Sequence, residues 1–339
     1  MFLKLLGRRT AAASLVLAAG LSACGKKSES EQVAQPATAT NKVEAPDPAA
    51  ATNPVAASAV VSIPAEPTNA VPATTEPAPA GNPEHEAWFK QGVDALEKRP
   101  LPDLQEAAKF FRLGAEAGHA PSQQALGVLY LNGDGVQKDL KEAFRLLEAS
   151  AAQNFPEAQF KLASLHARGI GVEVSLEKAA QFALRAAEQG HAEAQYNIAT
   201  MLMIGKGMPE NLSEAAVWLR KASDAGHPTA QSNLGVLYAN GRGVETNLVE
   251  AVKWFRAAAE QGQPTAQYNL AQALQEGRGV EADLIEAYKW YSLAADIGDR
   301  DASEAMIELS IKMQAADVAE ALKRARTFKA KRRLIPSGF

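Results

Sequence analysis

The chain has 339 residues, a net charge of −4 at pH 7 and a single cysteine. One cysteine excludes an intramolecular disulfide and a cysteine-based zinc cluster. The length suits a leader, a linker and one repeat domain.

Residues 1–23 read as an export signal. Lys4, Arg8 and Arg9 give a basic start, and residues 11–20 form an apolar run. That run is shorter than the ~20 residues a membrane span needs. The stretch Leu21-Ser22-Ala23-Cys24 resembles a bacterial lipobox. The resemblance implies cleavage before Cys24 and lipidation of it, the alternative being an ordinary signal with an incidental cysteine. Gly25 stands next, where an aspartate would imply inner-membrane retention, so the expected location is the outer membrane, facing the periplasm. Acyl chains anchor because each buried CH₂ is worth ~0.8 kcal/mol. Loss of Lys4, Arg8 and Arg9 with the leader would take the net charge from −4 to −7.

Residues 24–82 hold Cys24 and then a linker rich in Ala, Pro, Thr, Val and Glu, without a periodic apolar face. Such composition buries no core and is expected to be disordered. As a coil it would span on the order of 40 Å, holding the rest of the chain away from a membrane.

From residue 83 to 314 the chain repeats every 36 residues. A glycine leads each unit at Gly118, Gly190, Gly226, Gly262 and Gly298, with Asn154 in the one gap. A GxG trails at Gly133/Gly135, Gly169/Gly171, Gly205/Gly207, Gly241/Gly243 and Gly277/Gly279. Such a period specifies a stacked array. Ala194, Ile198, Met201 and Leu202 lie at helical spacing, predicting a helix A over about 191–204. Ala287, Trp290, Tyr291 and Ala294 predict a helix B face over about 284–297, with Trp218, Trp254 and Trp290 as core. The leading glycine suits a left-handed helix end, and Pro156, Pro228 and Pro264 suit the next helix start. The fold expected is all-α: an α/α superhelical solenoid of helix-turn-helix units. Trp88 is placed in register with Phe160, Tyr196 and Tyr268, in a degenerate first unit whose Lys98-Arg99-Pro100-Leu101-Pro102 replaces the GxG. Residues 315–339 are read as a capping helix and tail carrying Lys323, Arg324, Arg326, Lys329, Lys331, Arg332 and Arg333. They are a solvated cap or a contact for an anionic partner.

The units resemble the Sel-one-like repeat (SLR) family, relatives of tetratricopeptide repeats. Gln267-Tyr268-Asn269-Leu270, Gly277-x-Gly279-Val280 and Trp254-x₃-Ala258-Ala259-x-x-Gly262 carry the resemblance, over about residues 83–312. It implies a binding scaffold for a protein or peptide partner. Asn197, Asn233 and Asn269 recur on helix A one residue before a buried aliphatic, so they need not face the core. By resemblance to tetratricopeptide domains they would line a concave groove and hydrogen-bond a peptide; otherwise they tie the repeats together. Lys206, Arg242 and Arg278, in the middle of the GxG turns, would add a basic edge suited to an acidic segment.

No chemistry stands out. A GxG without a third glycine or a preceding strand is not a dinucleotide loop. His119, His191 and His227 share one register and read as turn residues, because stacked repeats hold them too far apart to share a metal. There is no Gly-x-Ser-x-Gly, His-Glu-x-x-His or Walker loop. The expectation is a lipid-anchored scaffold in envelope assembly or regulation, not an enzyme, with no cofactor, metal or nucleic acid. The alternatives are a hydrolase acting on peptidoglycan or β-lactams, and a periplasmic regulator of a membrane sensor.

Overall fold

The computed structural model describes residues 82–330, and the leader, Cys24, most of the linker and the tail from Lys331 lie outside them. The described residues are all helix and turn. Seven A helices are α1 (Pro83–Glu97), α3 (Ala120–Asn132), α5 (Pro156–Arg168), α7 (Ala192–Ile204), α9 (Pro228–Asn240), α11 (Pro264–Glu276) and α13 (Arg300–Ile311). They alternate with six B helices: α2 (Leu104–Glu116), α4 (Leu140–Ala152), α6 (Leu176–Glu188), α8 (Leu212–Asp224), α10 (Leu248–Glu260) and α12 (Leu284–Ala295). A closing helix, α14 (Ala315–Thr327), completes the array. Each helix from α1 to α13 packs mainly on its chain neighbours, the one-dimensional contact pattern of a solenoid.

Both helix ends are written into the repeat. Each B helix starts on a side-chain cap: Asp103, Asp139, Ser175, Asn211, Asn247 and Asp283 accept amides of the first turn. The A helices end on a left-handed glycine at Gly133, Gly169, Gly205, Gly241 and Gly277. Asn154, which fills the glycine gap, also takes positive φ, at 61°. Between units the alanine of helix B is fully inside: Ala107, Ala143, Ala215 and Ala287 are among the most buried residues. Trp218, Trp254 and Trp290 are buried as expected, and Lys221 and Lys289 lie over the rings of Trp218 and Trp290.

The second glycine of each turn is where one unit meets the last. A Cβ on Gly243 would fall inside 3 Å of the Leu212 carbonyl, and one on Gly279 would meet Leu248 in the same way. Gly135 and Gly207 approach Leu104 and Leu176 alike. These turns seat on the first residue of the preceding B helix, 31 residues back.

The first unit differs from the expected register. Phe89, not Trp88, takes the place of Phe160 and Tyr196: Phe89 contacts His119 edge-on at 5.7 Å, as Phe160 contacts His191 and Tyr196 contacts His227. The turn without GxG is one residue shorter than the internal turns, so counting back by 36 lands one residue early. The last unit differs too. Only Lys312–Gln314 separates α13 from α14, against seven residues in an internal turn, and α14 packs chiefly on α12.

Candidate functional site

Asn197, Asn233 and Asn269 stand at one register on α7, α9 and α11, three successive A helices. Their surroundings depart from the expectation that they lie off the core. Asn197 is 5% and Asn269 2% exposed, and Asn233 is half-buried. The cause is the sandwiching of helix A between its own B helix and its neighbours. On α11 residues 266, 267, 269, 270, 271, 273 and 274 are all buried, so little of the helix is left for solvent.

The three amides are not equivalent. Asn233 lies close to the Tyr196 phenol of the preceding unit, where its amide opposes the upward pKa shift that burial gives the phenol, a tie between repeats. Where Asn197 and Asn269 look back, the residues at the Tyr196 register are Phe160 and Ser232. Both Nδ2 and Oδ1 of Asn269 are buried without a partner. Asn269 faces a small cavity of about 20 Å³ that it shares with Phe255, Gln272, Glu276 and Arg278. That volume is room for a single water. A buried amide with no partner forfeits ~1–3 kcal/mol of solvation, so Asn269 holds unused hydrogen-bonding capacity.

The structure brings one residue of the expected basic edge to an asparagine. Arg278 is half-buried beside Asn269 and pairs with Glu276 at 3.4 Å. Lys206 and Arg242 are exposed on their turns. One unit before Asn197 the asparagine register holds Lys161, half-buried, whose ammonium burial pushes its pKa down, helped by Arg168.

The histidines are helix starts. His191 and His227 cap α7 and α9, each Nδ1 accepting an amide at 3.1 Å. Each ring also stacks on the aromatic of the unit before, with centroids 4.5 Å apart for Phe160–His191 and 4.6 Å for Tyr196–His227. His227 Nε2 then meets Glu193 at 3.3 Å. At the Glu193 register one unit back, Glu157 leaves Oε2 buried and unpartnered, and burial pushes its pKa up to about 7. Burial likewise pushes His191 down to about 4. No group of three metal-ligating side chains occurs among the described residues.

A second ladder escapes the reading of the sequence. Gln123, Gln159, Gln195, Gln231 and Gln267 recur at the 36-residue period, and all are buried. Each Nε2 donates to a carbonyl of the preceding B helix, as Gln231 does to Ser223 at 3.0 Å and Gln195 to Ala187 at 3.1 Å. The Oε1 of Gln123, Gln159 and Gln231 accepts from Gln153, Gln189 and Gln261 of its own unit's B helix, at 2.7–2.8 Å. Where that second glutamine is replaced by Ala225 or Ile297, the Oε1 of Gln195 and Gln267 is left bare. A glutamine in five consecutive units is the signal that could have found it.

A model of the Sel1 repeat matches residues 91–119, 120–155, 156–191, 192–227, 228–263 and 264–299, six units that coincide with the helix pairs of the array. Among solved structures, the fold is similar to that of a protective antigen present in uropathogenic Escherichia coli strains, described as displaying an SLR fold. The TM-score is 0.65 at 28% identity, covering 72% of this chain and 53% of that one. It is also similar to a Sel1 repeat protein from Oxalobacter formigenes, with a TM-score of 0.60 at 31% identity over 67% of this chain and 66% of that one. The chain thus spans about half the length of the first and 66% of the second. No curated protein matches the chain.

Proposed function

The chain belongs to the Sel1 repeat family, and on that premise we propose that it is a lipid-anchored envelope scaffold that holds an extended segment of a protein partner along the concave side of its A helices. Repeats of this kind mediate protein binding, and the register of Asn197 and Asn269 gives this copy of the fold a place to do it. One observation carries the reading: the buried Asn269 amide lacks a hydrogen-bond partner within the protein at both its nitrogen and its oxygen. An extended backbone offers the donors and acceptors such amides need. Arg278 beside Asn269, with Lys206 and Arg242 on the neighbouring turns, favours a segment carrying acidic residues. Cys24 would carry the lipid, the linker would hold the repeats clear of the outer membrane, and the array would face the periplasm.

The test is affinity capture from envelope extracts with wild type, Asn197→Ala/Asn269→Ala and Asn233→Ala. The double variant should lose the captured partner with little change in melting temperature, because the Asn269 amide makes no internal bond. Asn233→Ala should lose stability first, because it breaks the Tyr196 tie. Equal capture by wild type and a well-folded double variant would sink the groove. A fatty-acid label that wild type takes up and Cys24→Ser does not is the matching check of the anchor.

A further inference from the structure

Lys161 and Lys289 are the half-buried lysines among the described residues, and they differ in one respect. Lys289 pairs with Glu286 at 2.7 Å and lies over the Trp290 ring. The half-buried Arg220 and Arg278 likewise pair with Glu250 at 3.8 Å and Glu276 at 3.4 Å. Burial and the Arg168 guanidinium act on the Lys161 ammonium, and no carboxylate does. Taking a cation out of water costs free energy that a carboxylate contact ordinarily offsets. Among the described residues Lys161 lacks that contact.

The stack around Lys161 supplies the reason. One unit back its register holds Ala125 and one unit on it holds Asn197, so neither adjacent A helix brings an acid there. Along α5, Ser164 and Arg168 follow on the same face, at the spacing of successive helical turns. Arg168 is exposed, so this face runs from a half-buried ammonium to a guanidinium in water. Glu157 stands four residues before Lys161, a spacing that can give an ion pair. Its Oε2 is instead buried without a partner, and neither group acts on the other. His191 of the next unit comes within reach of the ammonium, but burial holds that ring down to a pKa of about 4, uncharged at neutral pH.

We propose that Lys161 and Arg168 form an anion subsite on α5 that takes a carboxylate side chain of the partner's extended segment. This rests on the reading of the asparagine register as the partner-binding side, since Lys161 holds that register one unit before Asn197. The charge left open is one half-buried ammonium with one guanidinium at its edge, which a single carboxylate matches. The free protein carries the uncompensated ammonium, and the bound segment compensates it. Lys161 therefore weakens the free fold and strengthens the complex, the reverse of a structural ion pair such as Lys289 with Glu286.

The experiment uses the full chain in mild detergent, with fluorescent deca-glutamate and deca-glutamine peptides as probes. Wild type should bind deca-glutamate and not deca-glutamine. Lys161→Met should weaken that binding by about tenfold or more, as loss of a charged hydrogen-bond partner does. Without peptide, Lys161→Met should melt about 1–3 °C above wild type, because it removes an uncompensated charge. Arg326→Met removes an exposed cation of α14 and should leave both readouts near wild type. A water-soluble carbodiimide, which joins an amine to a carboxylate touching it, should couple deca-glutamate to Lys161, mapped by peptide mass. Wild type that does not bind deca-glutamate overturns the proposal. Coupling at other lysines with none at Lys161 means a peptide held by general surface charge, and overturns it too. So does a Lys161→Met chain that binds as wild type does, or one that melts lower, since its ammonium was then paired inside the protein. Asn197→Ala/Asn269→Ala keeps the two readings apart: it should couple at Lys161 as wild type does, even where the asparagines prove to hold no partner.

Discussion

The turn at Gly277–Gly279 closes over Leu248, whereas the turn at Lys312–Gln314 leaves Leu284 open. Both leucines begin a B helix, with a side-chain cap just before each. What differs is the next unit, which seats a glycine turn on Leu248 and leaves an open cavity beside Leu284. In a stacked array each unit is completed by its neighbour, so local sequence sets the helices and the neighbour sets the burial.

The largest expected effect sharpens this comparison between contact and bare conformation. Gly243 has φ 74° and packs on Leu212, while Gly190 has φ 89° with nothing within 4 Å of where a Cβ would stand. Left-handed backbone costs a side chain ~1–2 kcal/mol, and forcing atoms into a packed contact adds ~1–3 kcal/mol. Gly243→Val should therefore lose about 3 kcal/mol or more in denaturant unfolding, and Gly190→Val about half that. Equal losses would mean that the turn does not seat on Leu212.

The glutamine ladder offers the next comparison, of a complete rung with a broken one. Gln159 donates to Ala151 and accepts from Gln189, whereas Gln195 donates to Ala187 with its oxygen bare. Each bond is worth ~0.5–1.5 kcal/mol net, and Gln159→Ala loses the bond from Gln189 as well as the one to Ala151. Gln159→Ala should cost about 1 kcal/mol more than Gln195→Ala, read as a difference in denaturation midpoints. If the two variants unfold together, the second bond of the rung contributes nothing.

The period, the helix pairs and the left-handed glycines are legible in the sequence because they rest on local rules: glycine at positive φ, proline at a helix start, apolar residues every third or fourth place. The environment of the asparagines is not. Asn269 precedes buried Leu270 by one residue, which on a surface helix turns a side chain roughly 100° away from the core. On an A helix enclosed on most sides it is still inside. The glutamines hide for the same reason, since a polar residue reads as surface unless its recurrence in five units is weighed. Carrying the period through a turn that lacks the GxG and is one residue shorter puts Trp88 where Phe89 stands. The open cavity beside Leu284 has no signature in the sequence, because it is defined by a contact that the next unit fails to make.

A repair should show a smaller effect than a deletion. Ala225 stands where Gln153, Gln189 and Gln261 stand in other units, and the Oε1 of Gln195 waits there unpartnered. Ala225→Gln should complete the rung and stabilise the array by about 0.5–1.5 kcal/mol, less the rotamer entropy of the new side chain. The gain should vanish in a Gln195→Ala background. A gain that survives there would trace to helix propensity and not to the ladder.

The smallest effect compares two glutamates at one register. Glu193 reaches His227, and Glu157 has a buried oxygen with no partner. Burial raises the Glu157 pKa to about 7 from an ordinary value near 4.5, so the folded chain favours its protonated form. Its contribution to stability is thus fully present below about pH 4.5 and is lost as pH rises through 7. His191 works in the opposite sense: held down to about 4 from 6.5, its contribution is present above 6.5 and is lost as pH falls through 4. The two would blur in a wild-type profile, so the informative quantity is the difference between wild type and Glu157→Gln at each pH, in which His191 cancels. That difference should favour the variant at about pH 8 and fade by about pH 5. Its size should be about 1–2 °C in melting temperature, because the half-exposed carboxyl is partly screened by water. Glu193→Gln should instead lose the contact to His227. If Glu157→Gln and wild type melt in parallel from about pH 5 to 8, the Glu157 carboxyl is solvated, and the contrast between the two glutamates fails.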